Sequence, residues 1–192
     1  MHEIETVFFE LKNLGTALRK NRERVATIIL EKPTLFPALL KLVFYKDEKI
    51  ATKAAWVLEI VLAKNLTLIA PHLSYFTSNL ASIKNDSAAR CCAKTCEFIA
   101  TAYDVDKNTF FKEKLSNKHI NNIIEVCFDW LITPHKVAVK VFCMSTLYIF
   151  GKNKSWIHYE LTLILQQNTA YESAAYKARS KNILALINKY NC

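Results

Sequence analysis

One helical pattern recurs along the chain, and it constrains the fold more than any other feature. Each copy is an apolar stretch with a basic residue at its second position, and the copies begin 37, 50 and 37 residues apart. The longer interval includes a polar, lysine-rich insertion at 104–117. A single pair of helices cannot bury its apolar face, whereas stacked pairs can, so the spacing predicts stacked helical pairs. The copies are TKAAWVLEIVLAKN (52–65), ARCCAKTCEFIATA (89–102), VKVFCMSTLYIFGK (139–152) and YKARSKNILALINK (176–189), after a weaker copy, LRKNRERVATIILE (18–31).

The scarcity of glycine supports an all-helical fold. The chain has two glycines and four prolines in 192 residues. Sheets and nucleotide-binding folds use glycine in hairpins and phosphate loops, which this chain cannot build. Apolar residues at helical spacing therefore predict an all-α chain of about ten helices. We place these helices at 3–13, 16–31, 34–45, 47–64, 67–83, 86–103, 118–131, 135–151, 155–167 and 172–190.

Polar residues between the apolar runs predict where helices begin and end. Asp47 and Asp86 stand where an N-cap or first-turn acid is expected. Asn65, Asn85 and the segment 151–153 stand where a left-handed residue is expected after a helix.

The repeated pattern resembles HEAT and armadillo repeats. Those repeats have an aspartate at the start of the second helix and a Val-Arg pair a few residues later; the nearest matches here are NDSAAR (85–90) and HKVAVK (135–140). Most copies have lysine in place of arginine, and two lack the aspartate. The resemblance implies a right-handed α–α superhelix in one domain, 1–192. Its parts are an N-terminal hairpin (1–31), repeats at 33–65, 67–103, 118–151 and 155–190, and the basic insertion at 104–117.

A narrower resemblance is to small solitary HEAT-like proteins of Bacteroidetes that often carry the label adenylosuccinate lyase. Lyases of that family are more than twice as long and have a Gly-Ser-Ser-x-Met-Pro-x-Lys-x-Asn loop. Neither Met1 nor Met144 precedes a proline here, and the chain has no Ser-Ser pair. We therefore do not expect adenylosuccinate lyase activity.

The charge distribution permits an anionic partner without requiring one. The net charge is +9, and residues 105–192 hold 12 basic and 6 acidic side chains. Nucleic acid, an acidic peptide or a membrane surface would each fit such a bias. The N-terminus MHEIETVFFELK has acidic residues where a signal peptide is basic, and no apolar run is long enough to span a bilayer. We therefore expect a cytoplasmic protein with reduced cysteines and no membrane partner.

No motif for catalysis, a cofactor or a metal stands out. Cys92 and Cys96 share a helix face, but no second Cys or His pair accompanies them, as a zinc site requires. Gly15 and Gly151 are too far apart to form a phosphate-binding loop. We therefore expect no catalytic residue, no cofactor and no metal.

The helix at 47–64 predicts a binding surface around Trp56. At 100° per residue, its apolar residues fall on one side and Trp56 falls near the middle of the other. In the stacked fold we expect this other side to line a concave groove. Two alternatives stay open: Trp56 packs against helices within 3–31, and the basic residues bond to the ends of neighbouring repeats. The predicted binding residues are Lys49, Lys53, Trp56, Glu59, Arg90, Glu97, Lys136, Lys140 and Lys177. Trp130 and Trp156 are predicted to be packing residues.

These features favour a non-catalytic scaffold that binds a protein or an acidic peptide in the groove. The alternative is nucleic-acid binding, because HEAT-like alkylpurine DNA glycosylases use a basic concave face with aromatic and acidic residues. Such an enzyme needs a concave carboxylate, for which Glu59 and Glu97 are the candidates. Self-association through the end repeats also stays open.

Overall fold

The all-α prediction is confirmed by a computed structural model that describes residues 2–105, 109–168 and 171–191. This part of the chain contains helices and no strands. Short 3₁₀ segments span Pro33–Leu35, Leu66–His72 and Leu80–Ser82. The α-helices are α1 (His2–Lys12), α2 (Arg19–Glu31), α3 (Phe36–Val43), α4 (Glu48–Lys64), α5 (Leu73–Asn79), α6 (Asp86–Val105), α7 (Phe110–Lys114), α8 (Asn117–Ile132), α9 (Val137–Gly151), α10 (Ser155–Asn168) and α11 (Ala174–Asn191).

Two predicted segments differ from the structure. The predicted helix 67–83 is only partly α-helical, because the 3₁₀ segments Leu66–His72 and Leu80–Ser82 flank the short α5. Pro71 lies in the first of them; it lacks an N–H, and its ring would clash with the preceding turn of an α-helix. The insertion at 104–117 contains an additional helix, α7, whose Phe111 is buried. Residues 106–108 of that insertion lie outside the described residues.

The predicted helix starts are confirmed, but the predicted left-handed ends are wrong. Asp47 caps α4, since its Oδ1 accepts from the N–H groups of residues 49 and 50 at 2.9 and 3.2 Å, and Asp86 lies in the first turn of α6. Asn85 begins a helix, because its Oδ1 accepts the Ser87 N–H at 2.9 Å. Among the described residues only Gly15 has a positive φ, of 73°. Asn65 leaves α4 with φ −146°, an extended conformation.

The chain divides into two compact units, which we call unit 1 (residues 1–95) and unit 2 (residues 96–192). In unit 1, α4 packs against α2 and α3, and α1 packs against α3. The α2–α4 and α3–α4 contacts accompany a fully buried side of α4, whereas Trp56, on the opposite side, is half-buried. Side chains with 0% exposure in this core include Val25, Ile29, Leu39, Val57, Leu58 and Phe76.

Unit 2 is built around α9, which packs against α8, α10 and α11. Neighbours on several sides explain why α9 is apolar nearly all round. Trp130 is 4% exposed, which confirms it as a packing residue. Trp156 is different: it stacks on Phe128, yet it is 52% exposed, so its prediction as a packing residue is only half correct.

No single described helix is long and apolar enough to cross a membrane. One pair, α4 with the segment Leu66–Ser82, reaches the required length and composition only when both are taken together, and it is bent by 115°.

Candidate functional site

The helical wheel of α4 correctly separates its core side from its other side. The residues predicted on the core side are all buried, whereas Lys53, Trp56 and Glu59 are half-buried and Lys49 is exposed. This division arises because apolar residues at i, i+3, i+4 and i+7 form a continuous stripe that α2 and α3 cover. The buried residues are Ile50, Ala54, Val57, Leu58, Val61 and Leu62.

Arg22 of α2 lies over the Trp56 ring. Its guanidinium carbon is 5.7 Å from the ring centroid, which is a cation–π contact. The Arg22 Nε is buried and has no hydrogen-bond partner. Within the described residues the Arg22 guanidinium also has no ion pair. An N-terminal helix therefore contacts Trp56, as one of the two alternatives held, while part of the indole stays exposed.

The two lysines before Trp56 have different surroundings. Lys53 Nζ donates to the carbonyl oxygen of Lys12 at 3.2 Å, at the end of α1. The last carbonyls of a helix carry partial negative charge, so the ammonium group is favourably placed there. Lys49 is exposed, one turn before Lys53, and its backbone N–H is bonded to the cap Asp47.

Arg90 and Glu59 form a two-pronged ion pair between α6 and α4. Arg90 Nη1 and Nη2 donate to Glu59 Oε1 and Oε2 at 3.2 and 2.5 Å. A planar guanidinium matches a carboxylate in this way, which makes the pair geometrically specific. Both side chains are mostly covered, with 30% and 22% of their surfaces exposed. The Arg90 charge is thus matched within unit 1.

Lys140 is not displayed on a surface, which corrects its prediction as a partner-contacting residue. It is 8% exposed, and its Nζ donates to Glu172 Oε1 at 2.6 Å. The ammonium nitrogen also lies 5.8 Å from the Tyr176 ring centroid. Burial of a lysine is tolerated when its charge is paired, which Glu172 provides.

The remaining predicted residues belong to unit 2. Lys136 is exposed at the N-cap of α9, Lys177 is exposed on α11, and Glu97 is half-buried on α6. These three and Lys140 belong to unit 2, whereas the structure brings Lys53, Trp56, Glu59 and Arg90 together with Arg22 in unit 1.

Sequence reasoning missed two residues that matter. Arg19 was aligned with Lys53, but the arginine over Trp56 is Arg22, one turn later in the same RKNRER run. No sequence pattern near Lys140 identifies Glu172 as its partner, because Glu172 lies in the segment before the following copy of the repeated pattern.

Several side-chain bonds join neighbouring helical pairs. Five of them link residues 31 to 34 positions apart. The bond between Lys152 and Asp104, which spans the insertion, links residues 48 positions apart. These bonds show that helical pairs that follow one another in sequence also pack against one another in space. The first five bonds join Thr52 with Asn85, Glu59 with Arg90, Asn121 with Lys154, Lys140 with Glu172, and Ser145 with Arg179.

Comparison with known families agrees with this repeat. Residues 12–187 match the model of the HEAT repeat domain. The chain is a HEAT repeat protein. Searches of curated proteins and of solved structures returned no match. The narrower resemblance to the solitary HEAT-like proteins stays a prediction.

Within the described ranges, the HEAT repeats of this protein contain no cluster of metal-ligating side chains. No group of three or more His, Cys, Asp or Glu side chains is placed to hold a metal ion within those ranges. Burial raises the pKa of the Cys91 and Cys92 thiols far above their ordinary range, so both stay protonated and are poor nucleophiles. Cys192 lies outside the described residues.

Proposed function

We propose that this HEAT repeat protein is a binding scaffold that takes an acidic segment of a partner protein on its Trp56 surface. We define the Trp56 surface as Arg22, Lys49, Lys53 and Trp56. The observation that carries the proposal is the arginine over the half-buried indole, because the Arg22 guanidinium has no ion pair among the described residues.

A carboxylate on the partner would give the Arg22 guanidinium the ion pair that it lacks among the described residues. Hydrogen bonds between ionised groups are stronger than those between neutral groups, so this pairing is favourable. Arginine stacked on an aromatic ring presents its remaining N–H groups in a fixed fork that suits carboxylates. Arg22 therefore sets a preference for Asp or Glu in the partner.

The indole supplies the apolar half of the same contact. Tryptophan and arginine are the residues most often found at the centres of protein interfaces. An apolar side chain next to the partner's acid would cover the exposed part of Trp56 while the acid reaches Arg22. Lys49, which is exposed one turn before Lys53, adds positive charge beside this position.

The competing function is nucleic-acid binding, and the ion pairs weaken its basis. Arg90 and Lys140, two of the four cations in the repeated basic position, are already paired with Glu59 and Glu172. Glu59 is also one of the two candidate glycosylase carboxylates, and both of its oxygens accept from Arg90. To act as a general base or a nucleophile, the Glu59 carboxylate must first break its ion pair with Arg90.

Peptide selection tests the proposal directly. Displayed random peptides are selected on the wild-type protein and then measured against three variants. Arg22→Met and Trp56→Ala are expected to weaken binding at least tenfold. Lys20→Met, which removes an equal charge from an exposed position on the same helix, is expected to leave it unchanged.

Two results would refute the proposal. Enriched peptides that lack Asp and Glu would contradict the role of Arg22. Equal binding of the selected peptides to the wild type, Arg22→Met and Trp56→Ala would show that the Trp56 surface is not the binding site. A parallel duplex-DNA titration from low to moderate salt covers the alternative, since phosphate-led binding weakens steeply with salt. Melting curves of all variants confirm that each one is folded.

A further inference from the structure

Helix α10 displays a row of large apolar side chains on its outer side. Trp156, Tyr159 and Leu163 are 52%, 65% and 36% exposed, and they are spaced i, i+3 and i+7. Residues at these positions share one face of a helix. The opposite face carries Ile157, Leu161 and Leu165, which are buried against the rest of unit 2. Helix α10 is thus apolar on both faces, and in the described structure only the face with the buried residues is covered.

Helix α8 extends this apolar row. The Phe128 and Trp156 rings stack with centroids 6.0 Å apart and planes 26° apart. Ile132, one turn after Phe128, is 59% exposed. The stacking fixes one face of the Trp156 ring before any partner arrives. An anchor of this kind loses less conformational entropy on binding than a free side chain does.

Three carboxylates accompany the apolar row. Glu125 and Asp129 are exposed on α8, three residues before and one residue after Phe128, and Glu160 is exposed on α10 one turn after Trp156. In the described part of the chain none of the three has a cationic partner.

The contrast with other acids of the same unit is clear. Asp104 and Glu172 are both held in ion pairs, with Lys152 and Lys140. Lys154, at the start of α10, donates instead to the amide oxygen of Asn121 at 2.7 Å. The unpaired carboxylates therefore give this surface negative charge in a protein whose net charge is +9.

We propose that this α8–α10 surface binds a basic amphipathic helix of a partner protein. The α8–α10 surface consists of Phe128, Ile132, Trp156, Tyr159 and Leu163 with the carboxylates of Glu125, Asp129 and Glu160. The charge of the carboxylates selects the partner: its Lys and Arg residues pair with them, while its apolar face covers the row. An amphipathic helix presents apolar anchors at i, i+3 and i+7 of its own sequence, which is the spacing needed to cover such a row.

The aromatic content of the surface supports the same partner. Trp and Tyr are enriched at interface hot spots, and their ring faces attract Lys and Arg. A cation on the partner helix thus finds both a ring and a carboxylate at Trp156 and Glu160. This surface is separate in sequence and opposite in charge to the Trp56 surface, so it does not depend on the proposed function.

The test uses two peptides that differ only in charge. Fluorescent 18-residue amphipathic helices built from Leu and Lys, or from Leu and Glu, are titrated with the full chain, and binding is followed by fluorescence anisotropy. The Leu/Lys peptide is expected to bind and the Leu/Glu peptide to bind at least tenfold more weakly. Replacing the carboxylates together (Glu125→Gln, Asp129→Asn, Glu160→Gln) is expected to weaken Leu/Lys binding and reduce its salt dependence.

Matched tyrosine variants locate the site. Tyr159→Ala is expected to weaken Leu/Lys binding at least tenfold, as is Trp156→Ala. Tyr171→Ala, which removes the same side chain from a position that is 93% exposed, is expected to have no effect. Because Tyr159 is 65% exposed, its replacement tests the surface even if loss of the Trp156 stack disturbs folding.

Three outcomes would overturn the proposal. One is equal binding of the two peptides, and another is binding that neither Trp156→Ala nor Tyr159→Ala changes. The third is a dimer in sedimentation of the protein alone that Tyr159→Glu dissociates, because a second copy would then be the natural occupant of the surface.

Discussion

Replacing Gly151 by alanine is expected to destabilise unit 2, because His158 occupies the space where a side chain would stand. A Cβ built on Gly151 would lie 2.0 Å from His158 Cδ2 and 2.4 Å from its Nε2. Non-bonded carbon atoms prefer about 3.5–4.0 Å, so the ring must move by roughly 1.5 Å. His158 is 2% exposed, and it is held between Tyr148, stacked at 5.4 Å, and Tyr190, edge-on at 5.6 Å.

The magnitude follows from two contributions. Overfilling a packed core costs about 1–3 kcal/mol. Displacing the ring also breaks the 2.8 Å hydrogen bond between His158 Nε2 and the Tyr148 carbonyl oxygen, and a buried group left unpaired costs about 1–3 kcal/mol more. We expect Gly151→Ala to lower the free energy of unfolding by about 2–6 kcal/mol, with Tm falling roughly 2–4 °C per kcal/mol.

Urea unfolding followed by circular dichroism measures this loss, and a double-mutant cycle assigns its cause. In a His158→Ala background the clash is gone, so Gly151→Ala should cost at least about 1 kcal/mol less than in the wild type. Gly15→Ala is the control: its Cβ would meet only Asn21 Nδ2, at 3.7 Å, and the positive φ costs about 1–2 kcal/mol in any background. A loss below about 0.5 kcal/mol, or additive effects in the cycle, would refute the reasoning.

Three further predictions concern groups that the fold covers wholly or in part. Lys140→Ala should lower the free energy of unfolding by about 1–3 kcal/mol, because Glu172 loses its partner; a neutral effect in urea unfolding would contradict this. Burial lowers the pKa of His72 below its ordinary value of 6.5, so the unfolded chain takes up a proton first as pH falls, and stability should drop below about pH 6.5. His72→Asn should make the unfolding midpoint less dependent on pH between roughly 7.5 and 5.5, and an unchanged slope would argue against it. Iodoacetamide should modify Cys91 and Cys92 only when urea unfolds the chain, as peptide mass spectrometry would show; rapid labelling of the native protein would disprove their burial.

The repeat, the helices and the core side of α4 could be predicted because they depend on short, periodic patterns. Apolar spacing identifies which side of a helix is buried, whatever element covers it. For the same reason Ile50, Val57 and Leu58 were assigned correctly without knowing that α2 and α3 are their neighbours.

The pairings between helices could not be predicted. A helical wheel shows that Trp56 faces away from the core, but it does not show that Arg22 lies over the ring. It also does not show whether a lysine at a repeated position is exposed like Lys177 or buried like Lys140. That difference depends on whether a carboxylate from the next helical pair reaches it, which is a matter of distances in space.

The predicted ends of helices failed for a different reason. Asn65 and Asn85 are compatible with both a left-handed cap and other turn conformations. The structure uses Asn85 to start α6, and its Oδ1 also accepts from Thr52 Oγ1 of α4 at 3.3 Å. Asn85 thus bonds both to its own helix, α6, and to α4 of the preceding pair. The residues next to it in sequence form no pattern that would predict both contacts.

The recurring separation of contacts between pairs has a consequence for how such a chain changes length. Because five of the bonds between pairs join residues 31 to 34 positions apart, duplicating one whole helical pair would create new bonds of similar span and lengthen none of the existing loops. Inserting a fraction of a pair would separate donors from acceptors on both sides. Addition of complete pairs thus keeps the contacts between pairs equally short in sequence, however long the chain becomes. This favours duplication of whole pairs over gradual extension in this architecture.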